Sequence, residues 1–110
     1  MKDRREIKRN MCAELLTLNW TDSDGSRRQE VVILDDIATF GARVRLEHPL
    51  PMDTPVAICH PNGRYDGKVK YCVFEAARYS VGIAFDQGVR WSKSDYEPSH
   101  LLELPEIVTR

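Results

Sequence analysis

Residues 79–86 read YSVGIAFD, a strict alternation in which Tyr79, Val81, Ile83 and Phe85 fall on one side and Ser80, Gly82 and Ala84 on the other. Successive side chains of an extended strand point to opposite faces, so this segment is a strand with one face turned to a core. Its second face carries only small residues, which implies that another element approaches it closely.

Similar segments recur at short intervals. Residues 11–20 (MCAELLTLNW) are mostly apolar, and residues 28–36 return after TDSDGSR (21–27), where Asp24-Gly25 is a hairpin signal. Residues 42–47 place Val44 and Leu46 on one face and Arg43, Arg45 and Glu47 on the other. HPLPMDTP (48–55) cannot continue a central strand, because three prolines remove ladder donors. VAICH (56–60) is a short strand, and PNGRYDG (61–67) holds two turn signals, Asn62-Gly63 and Asp66-Gly67. Residues 68–75 (KVKYCVFE) set Val69, Tyr71 and Val73 on one face. Six short strands separated by such turns predict a small antiparallel barrel. The tail differs: Ser94-Asp95 suits a cap, and Pro98 suits the start of a short helix through Ser99–Glu103. Leu101, Leu102 and Leu104 are then placed to close one barrel end, and Trp91 to cover it.

At 110 residues the chain suits one domain with one core, and its 42 % apolar content is enough to build it. No apolar run approaches the ~18–20 residues that cross a bilayer as a helix, and no signal peptide is visible. Three widely spaced cysteines (Cys12, Cys59, Cys72) fit reduced thiols in a cytoplasmic protein. The net charge of −1 argues against a general nucleic-acid binder. It is unevenly distributed, since residues 1–9 (MKDRREIKR) carry a local +3 and the remainder −4.

That basic stretch is the first candidate site. Arg5 and Arg9 are four apart, with Arg4 and Lys8 beside them. Guanidinium groups make forked, charge-assisted bonds to phosphate and to guanine. Taken alone, the stretch reads first as a solvated basic terminus. Strand pairing alters this. A hairpin centred near Asp24 sets Met11 opposite approximately Asp36, so the basic segment emerges beside DDIATFG (35–41). A carboxylate there is able to accept from the N1 and N2 donors of guanine or to orient an arginine.

The other candidates are weaker. Asp22-Ser23-Asp24-Gly25 resembles the start of a calcium loop, but the twelfth position is Ile33, so it reads as a turn. Cys59, His60 and Cys72 lack metal-ligand spacing. His48 and His100 are isolated, and no nucleophilic triad can be assembled, so no metal site and no catalytic residue is expected.

Together these residues resemble the PilZ domain family. RREIKR (4–9) is similar to the family's RxxxR motif at Arg5 and Arg9, and DIATFG (36–41) to its [D/N]xSxxG motif at Asp36 and Gly41, with 26 residues between Arg9 and Asp36. GARVRL (41–46), GKVKY (67–71) and YSVGIAF (79–85) are similar to the family's strands, so the likeness spans roughly residues 4–86. It implies an all-β fold, a six-stranded antiparallel barrel with a short C-terminal helix. Residues 1–10 would be a flexible basic arm and residues 11–110 the barrel with its tail.

It further implies a bacterial, cytoplasmic receptor for cyclic di-GMP that signals to an unidentified protein partner, without catalysis and without contact to membrane or general nucleic acid. Arg5 and Arg9 would hold phosphate and guanine, Asp36 would bond a guanine edge, and Gly41 would permit the tight turn and backbone approach. Arg4 would be an auxiliary contact. The departure is Ala38, where the family has serine. One missing hydrogen bond is worth about 0.5–1.5 kcal/mol, which weakens binding more readily than it abolishes it. The alternative is a PilZ-like adaptor that binds the nucleotide weakly or not at all.

Overall fold

The computed structural model describes residues 8–98 and 102–105, with side chains from Asn10 to Pro98. Among these residues seven strands form, β1 (Lys8–Thr21), β2 (Arg27–Ala38), β3 (Gly41–Leu46), β4 (Pro55–His60), β5 (Gly63–Glu75), β6 (Arg78–Phe85) and β7 (Leu102–Pro105). Every pairing is antiparallel, in the order β2-β3-β6-β5-β4-β1-β7. A further β2–β1 pairing closes the first six strands into a barrel.

Closure depends on the length of β1. Its residues 17–20 pair with β4, residues 8–11 pair with β7, and β2 runs along the other side. The strand therefore begins inside the segment read as a basic arm. The expected C-terminal helix needs a correction where it can be seen. Residues 99–101 lie outside the described residues, but Leu102 and Glu103 belong to β7, because the second edge of β1 there offers backbone partners. Ahead of it, Tyr96 N–H donates to Ser92 O at 3.2 Å, a single turn that begins at Ser92 rather than at Ser94.

Alternation directs the core. Leu16, Leu18, Val32, Leu34, Val44, Leu46, Val56, Ile58, Val69, Val81 and Ile83 point inward and are buried. Each such side chain contributes about 1.5–3 kcal/mol by leaving water. The face expected to be small on β6 is crowded from outside, since a Cβ on Gly82 would lie 2.1 Å from the ring of Tyr71. A bulge between Val69 and Tyr71 places that ring there. The bulge also corrects the expectation that Val69, Tyr71 and Val73 share a face: Val69 is buried, whereas Tyr71 and Val73 are exposed. An extra residue in one strand shifts the alternation by one beyond it.

One predicted turn is a strand. Pro61 and Asn62 alone connect β4 to β5, His60 being paired with Gly63, which leaves Asp66-Gly67 inside the ladder. Gly67 serves close approach instead, because a Cβ there would meet Ala84 O at 2.4 Å. The β5–β6 hairpin turns through Ala76 (φ 53°) and Ala77 (φ 66°), both left-handed. This is the primed turn that right-handed strand twist favours, built without glycine. No helix among the described residues is long and apolar enough to cross a membrane.

Candidate functional site

The start of β1, the end of β2, the start of β3 and the end of β6 meet at one end of the barrel. Met11 pairs with Asp36, as the hairpin arithmetic predicts, and Asn10 pairs with Ile37. Asn10 Nδ2–H donates to the Ile37 carbonyl at 3.0 Å, a buried bond that holds the two strands together. The start of the first strand thus lies beside the DDIATFG turn.

Two bulges shape that turn. Between Met11 and Glu14 on β1, and between Leu34 and Asp36 on β2, the register shifts. Leu34 and Ile37 both reach the core, so Asp35 and Asp36 lie between two inward residues. Each carboxylate takes an arginine of β3. Asp36 Oδ2 lies 3.0 Å from Arg43 Nη2, and Asp35 Oδ2 lies 2.8 Å from Arg45 Nε. Asp36 is only 6 % exposed, and a carboxylate so buried requires a charged or hydrogen-bonding partner. Cys12, opposite the bulge, donates its Sγ–H to Leu34 O at 3.6 Å. Burial, and then Asp36 and Asp35, push its thiol up to about 12, so it stays protonated at neutral pH.

Beyond Asp36 the hairpin is tight. Ala38 pairs with Gly41, leaving Thr39 and Phe40 as the loop. Gly41 has no left-handed backbone; its requirement is space, since a Cβ would meet Ile83 O at 2.6 Å. The loop is tied down from two sides. Phe85 N–H donates to Phe40 O and Trp91 N–H donates to Thr39 O, both at 2.9 Å. Trp91 is buried, and its indole Nε1–H donates to Tyr96 O at 2.7 Å. The Arg90 guanidinium lies over the Phe40 ring, 5.5 Å from its centroid.

An aromatic stack flanks this end: Tyr96 on His60 (4.3 Å between ring centroids), His60 on Tyr65 (5.0 Å) and Tyr65 on Phe85 (5.3 Å). Burial holds the His60 imidazole below its ordinary range, against a smaller opposing pull from Asp95. Burial, then Glu14, pushes the Tyr96 phenol up.

Asp36, Ala38 and Gly41 are therefore brought together on one hairpin. Arg4 and Arg5 lie outside the described residues. Arg9 belongs to β1, its backbone paired with Leu104, and its side chain is not described. Sequence reasoning left Asp35 without a role and passed over Arg43, Arg45, Phe40 and Arg90. The alternation of residues 42–47 already turned both β3 arginines outward, toward the carboxylates of the neighbouring strand. The acidic motif at 22–25 is a turn: Gly25 has φ 89°, Asp24 Oδ1 accepts from Ser26 N–H at 2.9 Å, and Asp22 pairs with Arg28. Cys59 Sγ accepts from Asn19 Nδ2–H at 3.3 Å, and Cys72 packs against the core. Two clefts, of about 630 and 780 Å³, are lined by residues such as Trp20, Arg28 and Pro55 and include none of residues 35–41.

No protein-family model matches the chain, and no curated protein matches it. Among solved structures it is similar to the PilZ domain with c-di-GMP of YcgR from Escherichia coli. The TM-score is 0.55 at 14 % identity, over 77 % of this chain and 79 % of that one. The six-stranded closed barrel is thus a PilZ-like fold.

Proposed function

We propose that the chain binds cyclic di-GMP at the hairpin end of the barrel, between the N-terminal RxxxR segment and the DIATFG turn. The observation that carries this reading is the pairing of Met11 with Asp36, which brings the chain following Arg9 to the side of that turn. The YcgR domain, whose structure holds that nucleotide, shares the fold. In this reading Arg5 and Arg9 hold phosphate and guanine, with Arg4 as an auxiliary contact. Asp36 accepts from a guanine edge, Gly41 permits the tight turn and backbone approach, and Ala38 lines the site without the hydroxyl of the PilZ motif. The ligand carries two negative charges, and the local +3 of residues 1–9 favours its capture at low salt. The bacterial, cytoplasmic receptor then acts without catalysis, by presenting an altered N-terminal segment to a protein partner.

Ala38 supports a second reading, in which the barrel is an adaptor with weak or no nucleotide binding. Calorimetric titration with cyclic di-GMP decides between them. The receptor reading expects binding tighter than millimolar, lost or strongly weakened in the Arg5→Ala/Arg9→Ala double variant. Millimolar or absent wild-type binding favours the adaptor, and binding that the double variant retains in full contradicts the proposed site.

A further inference from the structure

Most of the described arginines are neutralised. Arg28 pairs with Asp22, Arg43 with Asp36, Arg45 with Asp35, Arg64 with Asp66 and Arg78 with Glu47. Among the arginines whose side chains are described, only Arg27 and Arg90 make no ion pair. Arg27 stands at the β1–β2 turn, at the far end of the barrel. Arg90 stands at the DIATFG end, over a Phe40 ring that is 64 % exposed on the hairpin tip.

The backbone around Arg90 is fixed on both sides. Asp86 N–H donates to Asp66 O, Val89 N–H closes a turn onto Asp86 O, and Gly88 supplies the left-handed step at φ 87°. Trp91 is locked to Thr39 O and Tyr96 O. Phe40 stands four residues beyond Asp36 on the same hairpin, at most about 14 Å along the chain at the usual rise, and the exposed guanidinium lies over its ring. It is uncompensated, planar and already oriented by a ring, so little freedom is lost when it binds.

Resting on the nucleotide reading above, we propose that Arg90 is a base-selecting contact of that site, its guanidinium held by Phe40 and donating to the O6 and N7 acceptors of a guanine. Adenine presents an N6 donor where guanine presents O6, so the same fork meets one acceptor and one repelling amino group. Phe40 is a positioning residue: its ring sets the plane of the guanidinium by cation–π attraction. The contact lies outside both motifs and uses a phenylalanine at the motif's fifth position.

The test is titration of cyclic di-GMP and cyclic di-AMP into wild type, Arg90→Ala, Arg90→Gln, Phe40→Ala and Arg5→Ala/Arg9→Ala. Arg90→Ala should weaken cyclic di-GMP binding about tenfold, within the range for a bidentate guanine contact. It should leave cyclic di-AMP binding and Tm unchanged. Arg90→Gln should move the preference toward adenine, because an amide matches the N6/N7 edge. Phe40→Ala should lose part of the cyclic di-GMP affinity. Cyclic di-GMP binding within twofold of wild type in Arg90→Ala, or an equal loss for both nucleotides, overturns this inference alone, provided the double arginine variant loses binding. Wild-type protein that binds neither nucleotide overturns the receptor reading and this inference with it.

Discussion

Asp36 and Arg43 face each other across β2 and β3 and form an ion pair of 3.0 Å beside the tip of the hairpin. The Asp36 side chain is 9 % exposed and that of Arg43 27 %. The neighbouring Asp35–Arg45 pair is the more accessible one, at 17 % and 36 %. The acceptor of the proposed site is thus fixed by a cation on the adjacent strand.

Arg43→Ala should destabilise the fold by about 1–3 kcal/mol, because a buried carboxylate loses one of the groups that hold it. Arg45→Ala, acting on the more accessible pair, should cost less than about 1 kcal/mol. Urea unfolding of both variants measures the difference. Equal costs would contradict the special standing of Asp36.

Ala38→Ser introduces the hydroxyl that the PilZ motif carries at the matching position. Ala38 is half-buried and pairs with Gly41 at the hairpin. Cyclic di-GMP affinity should be unchanged or up to about tenfold tighter, the worth of one good hydrogen bond. A clear loss would mean that the motif has been aligned to the wrong residue.

Ala77→Gly should stabilise the barrel. Ala76 and Ala77 both hold left-handed backbone, which costs an L-residue roughly 1–2 kcal/mol and glycine little. The gain should be about 0.5–1 kcal/mol after the larger unfolded-state entropy of glycine is deducted. A fall in the urea midpoint would refute the turn geometry.

The stack of Tyr96, His60 and Tyr65 makes stability depend on pH. Burial lowers the imidazole's affinity for a proton in the fold, so the unfolded chain takes up the proton first. Stability contributed by neutral His60 is therefore complete above the unfolded value, near 6.5, and falls as the pH drops below it. His60→Phe keeps a ring in the stack and removes the titration. Between pH 7.5 and 5.0 wild type should lose stability relative to His60→Phe, and parallel profiles would sink the assignment.

The barrel was legible because period-two alternation and turn residues are local signals. The Met11–Asp36 register followed from one hairpin, since pairing is fixed once its centre is known. Features set by tertiary contact were not legible. The bulge at Asp35 leaves no mark on the sequence, so that residue had no role until Arg45 was seen beside it. Asp66-Gly67 carries turn chemistry but serves the close approach of Ala84. Ala76-Ala77 carries no turn chemistry and yet turns, because twist and pairing of β5 and β6 impose it. The meeting of Arg90 with Phe40 joins two segments 50 residues apart, which composition and spacing do not relate.

The most direct test of nucleotide binding at the hairpin end is amide chemical-shift mapping by NMR during titration with cyclic di-GMP. Binding there should give saturating shifts at residues 4–9 and at Asp36–Gly41, with Arg90 and Trp91 moving alongside. Little change should occur at the opposite end, around Asp22–Arg28. Saturating shifts confined to that far end, or no shifts at millimolar nucleotide, would contradict it.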